Sequence, residues 1–165
     1  MLAFAQGRSE WGPRALGQRS ILAKATHREM RERINRRIKH REDFRPFSPA
    51  VLDDEYSTYF EKDVDKMSPW MTAVVNVSPS QKSELGAAVH EDGSARAQSV
   101  NEDGAPDLAK VLTELMRQGH SPIALSTSLN GPGEPIAARV EDLFSFFLKY
   151  KPDALLIGDL LVERK

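Results

Sequence analysis

The segment Gly7 to Ala23, GRSEWGPRALGQRSILA, constrains this 165-residue chain more than any other stretch. It sets Arg8, Arg14 and Arg19 among Gly7, Gly12, Pro13 and Gly17, so cations ride on backbone that glycine and proline turn sharply. Such a segment can be a water-facing surface loop, or it can wrap an anion. A guanidinium stays charged and offers five donors in a flat fork that matches phosphate or carboxylate oxygens. Leu2 to Ala5 and Arg19 to Ala23 (RSILA) both read as strands, which would hold the loop at each end.

A chain of this length with 40% hydrophobic and 28% charged residues fits one folded domain, residues 1–165, rather than a disordered segment. Its net charge of −1 provides no global field to gather nucleic acid, which is not the expected partner. Basic residues are nonetheless bunched: between Thr26 and Arg45 eight Lys/Arg face four acids. The absence of cysteine removes disulfides, zinc–thiolate sites and thiol nucleophiles, and a cytoplasmic location follows as the default expectation. No apolar run approaches a membrane span, and the first residues, MLAFAQGRSE, lack the basic leader and long apolar core of a secretion signal, so no membrane partner is expected.

Thr26 can cap a helix from His27 to about Lys39, with Glu29 as its capping-box partner and Met30, Ile34 and Ile38 as a narrow apolar seam. Pro46 and Pro49 then enforce extended backbone, Ala50 to Leu52 reads as strand, and in the acidic stretch Asp53 to Lys66 the aromatics Tyr56, Tyr59 and Phe60 turn inward. Met71 to Val77 reads as strand by its β-branched content. Ala87 to Val100 reads as a hairpin around Asp92-Gly93, with Arg96, Gln98 and Val100 on one face of its second arm and His90 before the turn.

A helix from Pro106 towards Gly119 carries Leu108, Val111, Leu112, Leu115 and Met116 on its apolar face. Ile123 to Leu125 is a buried strand that runs into Ser126-Thr127-Ser128-Leu129-Asn130-Gly131, and a strand ending in hydroxyls, an amide and glycine is where open α/β sheets place ligands, although a plain polar turn has similar residues. A last helix, Val140 to Tyr150, presents Leu143, Phe144, Phe147 and Leu148, and two strands close the chain around Gly158-Asp159. Irregular alternation of strands and helices predicts an α/β fold with a mixed, twisted sheet and flanking helices.

No Walker loop, GxGxxG or HExxH is present, and His27, His40, His90 and His120 lie at no metal-ligand spacing, so no metal is expected in this domain. Anion ligands recur at segment ends: Arg14, Lys39, Arg41, Arg96, then Ser128 and Asn130. Brought together, they would hold two phosphate-bearing groups side by side and neutralise charge as one oxygen displaces another, which is catalysis by positioning and electrostatics.

Five motifs, GRSEWGPRALGQRSILA, KHREDFRPFSP, SPWMTAVVNV, VHEDGSARAQSV and STSLNGPGEPI, in that order and over nearly the whole chain, resemble the C-terminal domain of the NodU/CmcH-type O-carbamoyltransferases. That resemblance implies a YrdC-like fold, in which Lys39-x-Arg41 and Ser128-x-Asn130 match a KxR and SxN tetrad. It also implies formation of carbamoyl-adenylate from carbamoyl phosphate and ATP, with Mg²⁺ beside the nucleotide. Arg14, Lys39, Arg41 and Arg96 would bind the phosphates and the carbamoyl group, Ser128 and Asn130 the adenylate phosphate, and His90, Gln98 and Glu134 would complete the wall. The family's larger N-terminal transferase domain, actin/Hsp70-like with an iron-type metal, is expected to be absent here and to act as a partner in cis or in trans. A YrdC-like RNA- or nucleotide-binding module without turnover and an inert fragment are the alternatives. Neither the acceptor nor the oligomeric state is named by the sequence.

Overall fold

The computed structural model describes residues 1–164. Its centre is a seven-stranded mixed sheet built from β1 (Leu2–Ala5), β2 (Arg19–Ala23), β3 (Ser48–Leu52), β6 (Gln98–Val100), β7 (Ile123–Ser128), β8 (Ala154–Ile157) and β9 (Leu160–Glu163). They are ordered β6-β3-β7-β2-β1-β8-β9, while β4 (Val75–Asn76) and β5 (Ser94–Ala95) form a separate two-stranded piece. β2 and β3 both run antiparallel to β7, with Ser20 opposite Ser128 and Ser48 opposite Ser126, so three strands present hydroxyls at one end of the sheet.

Helices cover both faces. α1 (Arg28–Ile34) and α4 (Val140–Tyr150) pack Ile34, Leu143, Phe146, Phe147 and Tyr150 against Ala3, Ile21, Leu125 and Leu155. Across the sheet α3 (Pro106–Arg117) packs Leu108, Ala109 and Leu112 against Phe4, Leu22, Ala50 and Ala124. Pro106 opens α3, where a missing N–H costs nothing. A four-residue helix, α2 (Tyr56–Tyr59), buries Tyr56, Tyr59 and the following Phe60 in the larger core. Among the described residues no helix is long and apolar enough to cross a membrane.

The mixed α/β class matches the expectation, and several local readings are corrected. α1 begins after His27, with no side-chain cap, so the Thr26 capping box does not form. The helix continues as a π-helical turn over Asn35–Lys39. Of Met71 to Val77 only Val75–Asn76 is a strand, because Met71 takes a left-handed φ of 54° after the 3-10 turn at Ser68–Trp70. Asp92-Gly93 does form a tight turn, closed by His90 N–H to the Ser94 carbonyl at 2.7 Å. Its first arm is not a strand, however, because Ala88 and Val89 fold back onto the Leu85 carbonyl and bury Leu85, Ala87 and Ala88, so β5 pairs with β4 instead. On α4 the inward set is Leu143, Phe146, Phe147 and Tyr150, which leaves Phe144 and Leu148 exposed.

Candidate active site

At the hydroxyl-bearing end of the sheet lies a cleft of about 230 Å³ lined by Arg14, Lys39, Arg41, Phe47, Ser48, Arg96, Ser126, Ser128 and Asn130, among others. Residues separated by more than a hundred positions in sequence therefore meet in one place. A second cavity of about 390 Å³ adjoins it, sharing Arg14, Arg41, Ser48 and Arg96 and adding Arg45, Val74 and His90. Among the described residues no carboxylate lines either cavity.

Lys39 and Arg41 reach the same cleft because of the backbone between them. Residues two apart on a helix point to different sides. Here the π-helical turn ends at His40, which takes φ 45° and ψ 51°, and the left-handed step turns Arg41 back towards Lys39. The Lys39 ammonium crosses the strand end and donates to the Ser128 carbonyl at 2.7 Å, the Asn130 carbonyl at 3.0 Å, Asn130 Oδ1 at 2.9 Å and Ser128 Oγ at 3.2 Å. Burial and the neighbouring Arg41 cation push Lys39 down to about 7, against the nearby Glu134 carboxylate, which favours its charged form.

Arg41 stacks over the Phe47 ring at 4.6 Å and donates from Nε to Asn35 Oδ1 at 2.7 Å. Arg96 donates from Nε and Nη2 to Ser48 Oγ at 3.2 and 3.1 Å. Burial first, then repulsion from Arg45, lowers the Arg41 pKa; burial and Arg14 do the same to Arg96. These cations destabilise one another, and a bound anion would relieve all of them together.

The glycine-arginine loop delivers only one of its three arginines here. Arg14 lines the cleft, Arg8 faces a cavity on the other side of the loop, and Arg19 is buried and spent on main-chain carbonyls of Gln6 at 2.7 Å and Gly7 at 3.1 Å. The loop is shaped by a carboxylate. Glu10 Oε1 accepts the N–H groups of Leu16, Gln18 and Arg19, each at 2.9 Å, closing residues 10–19 into a ring. Gly17 carries φ +109°, and a Cβ there would meet Leu108 at 3.0 Å and Ala105 at 3.1 Å, so glycine alone lets the loop lie against α3.

Residues 1–164 match the sequence model of the family described as carbamoyltransferase C-terminus. The chain belongs to this family. The carbamoyltransferase C-terminal chain is 40% identical over 166 residues to nodulation protein NolO of Bradyrhizobium diazoefficiens, with 100% of the chain and 30% of NolO covered. It is 39% identical over 166 residues to nodulation protein NolNO of Sinorhizobium fredii, covering 100% of the chain and 24% of NolNO. Against the 3'-hydroxymethylcephem-O-carbamoyltransferase of Amycolatopsis lactamdurans the identity is 35% over 164 residues, covering 99% of the chain and 31% of that enzyme. The chain thus spans less than a third of the length of each of these relatives.

Within this carbamoyltransferase C-terminal chain, three of the nine candidate residues stand apart from the main cleft. His90 lines the adjoining cavity and holds Ser94 Oγ at 3.0 Å through Nδ1. Burial, opposed by Asp92 and reinforced by Arg96, keeps its imidazole below the ordinary value. Gln98 turns away, donating from Nε2 to the Leu16 carbonyl at 2.9 Å, and so braces the loop that carries Arg14. Glu134 braces the other wall: it accepts from Lys149 at 2.6 Å, Tyr150 Oη at 2.9 Å and Gly131 N–H at 2.9 Å, while its carbonyl accepts from Asn130 Nδ2 at 2.7 Å.

Sequence reasoning missed Glu10, Asn35, Phe47 and Ser48. Asn35 is fully buried, and besides accepting from Arg41 it donates to the Arg45 carbonyl at 2.9 Å and the Asp43 carbonyl at 3.3 Å. An asparagine facing the core at the end of an arginine-rich helix was the available signal, since a buried amide needs partners.

Proposed function

We propose that this chain is the part of a carbamoyltransferase that binds carbamoyl phosphate and ATP and forms carbamoyl-adenylate. What carries the reading is the convergence of Arg14, Lys39, Arg41 and Arg96 with Ser128 and Asn130 on one cleft that no carboxylate of the described residues lines. Water first cleaves carbamoyl phosphate to carbamate and phosphate. A carbamate oxygen then attacks the α-phosphorus of ATP, the bond from that phosphorus to the α,β-bridging oxygen breaks, and pyrophosphate leaves with its electron pair. The guanidiniums of Arg14, Arg41 and Arg96 neutralise charge on the phosphates, and Lys39, pinned by four acceptors, holds the Ser128–Asn130 turn against the adenylate phosphate.

Mg²⁺ would enter with ATP. The cleft offers hydroxyl and amide oxygens from Ser126, Ser128 and Asn130 but, among the described residues, no carboxylate, so the nucleotide's own phosphates would supply the charged ligands. Two adjoining cavities that share three guanidiniums suit two anions held side by side. The fold is YrdC-like on this reading, and the group formed is passed to a hydroxyl acceptor by the N-terminal transferase region, in cis or in trans.

An RNA-binding role for the arginine-rich stretch is less well supported. Arg33 pairs with Asp153, Arg36 with Asp43 and Glu32, and Arg45 with Glu42, so much of that charge is already matched. The deciding experiment is carbamoyl-phosphate-dependent exchange of labelled pyrophosphate into ATP. Exchange that disappears in Arg41→Ala and Asn130→Ala supports the assignment, and undiminished exchange in both variants removes it.

A further inference from the structure

The floor of the cleft holds a hydroxyl with nothing to bind. Ser126 is 1% exposed, lines the cleft, and its Oγ has no hydrogen-bond partner among the described residues. Three of its polar neighbours are engaged. Ser48 Oγ accepts from Arg96, Ser128 Oγ donates to Asn130 Oδ1 at 2.7 Å and meets Lys39, and both ends of the Asn130 amide are used. An unpaired buried hydroxyl costs stability, and one in a residue that lines a ligand cleft is placed to take a hydrogen bond from the ligand.

The charged groups of the cleft are one-sided. Arginine and lysine side chains donate and do not accept. They suit phosphate oxygens and a carbonyl oxygen. An NH₂ group brought into the same space needs an acceptor, and the Ser126 hydroxyl is a buried one whose lone pairs have no partner among the described residues. Carbamoyl phosphate differs from acetyl phosphate in this group alone, NH₂ in place of CH₃.

We infer that Ser126 is a specificity residue that accepts a hydrogen bond from the carbamoyl NH₂ and thereby separates carbamoyl phosphate from acyl phosphates of the same shape. This inference rests on the proposed binding of carbamoyl phosphate. A site built to pair a buried polar group discriminates strongly against the analogue lacking it, because the analogue leaves that group unpaired. Removing the hydroxyl breaks no bond inside the protein, so Ser126→Ala folds as the parent does.

The test is calorimetric titration of the chain and of Ser126→Ala with carbamoyl phosphate, acetyl phosphate and inorganic phosphate, alongside thermal melts. The parent is expected to prefer carbamoyl phosphate over acetyl phosphate by about tenfold. In Ser126→Ala that preference falls to within about twofold, through weaker carbamoyl phosphate binding, with the inorganic phosphate affinity and melting temperature held. Equal weakening for all three anions, or an unchanged preference, overturns the role of Ser126. Failure of the parent to bind carbamoyl phosphate at all overturns the functional reading beneath it, and the two failures are told apart by the parent titration alone.

Discussion

Lys39 and Asn130, ninety-one residues apart, are joined twice: the Lys39 ammonium donates to Asn130 Oδ1 at 2.9 Å and to the Asn130 carbonyl at 3.0 Å. One side chain from the end of a helix thus sets the conformation of the turn that follows β7. The same contact makes a titrating group part of the cleft wall.

Because Lys39 is pushed down to about 7 from its ordinary 10.5, it releases its proton more readily in the folded chain than in the unfolded one. Between those two values the unfolded chain binds more protons, so stability from this group rises with pH across the window and is lowest below about 7. Anion binding runs the other way. ATP affinity is expected to fall as pH rises through about 7, and binding at pH above that value takes up a proton. Titrations in two buffers of different ionisation enthalpy read the uptake directly, and Lys39→Met removes it.

Asn35 acts on the cleft through Arg41. Its Oδ1 lies 2.7 Å from Arg41 Nε, and its amide nitrogen fixes the carbonyls of residues 43 and 45, so Asn35→Ala frees the guanidinium to swing. ATP binding should weaken in Asn35→Ala and Arg41→Ala, and the double variant should be no worse than Arg41→Ala. A coupling of about 1–2 kcal/mol in that cycle marks a positioning role, and additivity within about 0.5 kcal/mol marks a structural one.

The strands at both ends of the loop, the existence of the helices and the mixed α/β class were legible in the sequence, because alternation and four-residue spacing report burial, but on α4 the same spacing picked Phe144 and Leu148, which are exposed. So was the gathering of Lys39, Arg41, Ser128 and Asn130, through motif likeness. Other features had no local signature. Whether Gln98 faces ligand or the Leu16 carbonyl depends on where a loop eighty-two residues away comes to rest. Glu10 reads as a solvated loop acid until three N–H groups are seen converging on one oxygen. The break of Met71 to Val77 into two residues of strand is set by a left-handed Met71, which β-propensity does not report.

Glu10→Ala leaves the N–H groups of Leu16, Gln18 and Arg19 without their shared acceptor. Charge-assisted bonds of this kind are the stronger class, and water replaces part of them, so the expected loss is about 3 kcal/mol in urea denaturation. ATP affinity should fall as well, because Arg14 rides on the ring that Glu10 closes. Leu112→Ala, in the core beneath α3, serves as the comparison: it is expected to cost about 2–5 kcal/mol while leaving ATP affinity unchanged in the folded fraction.

Gly131 follows the Lys39-bound asparagine and lies against the Tyr150 side chain of α4. A Cβ at this position would lie 1.7 Å from Tyr150 Oη and 2.8 Å from Glu134 Oε2, so the phenol occupies the space a side chain would need. Gly131→Ala must displace Tyr150, which breaks its bond to Glu134 at 2.9 Å and loosens the Glu134 contact with Gly131 N–H. Tyr150 is buried in the larger core, so its displacement should cost about 3 kcal/mol. The brace on Asn130 slackens with it. Pyrophosphate exchange should then show a raised KM for ATP in the folded fraction. Tyr150→Phe, which keeps the ring and loses only the hydroxyl, should give a smaller loss of stability, about 1 kcal/mol, and a melt series of the two variants separates the steric effect from the hydrogen bond.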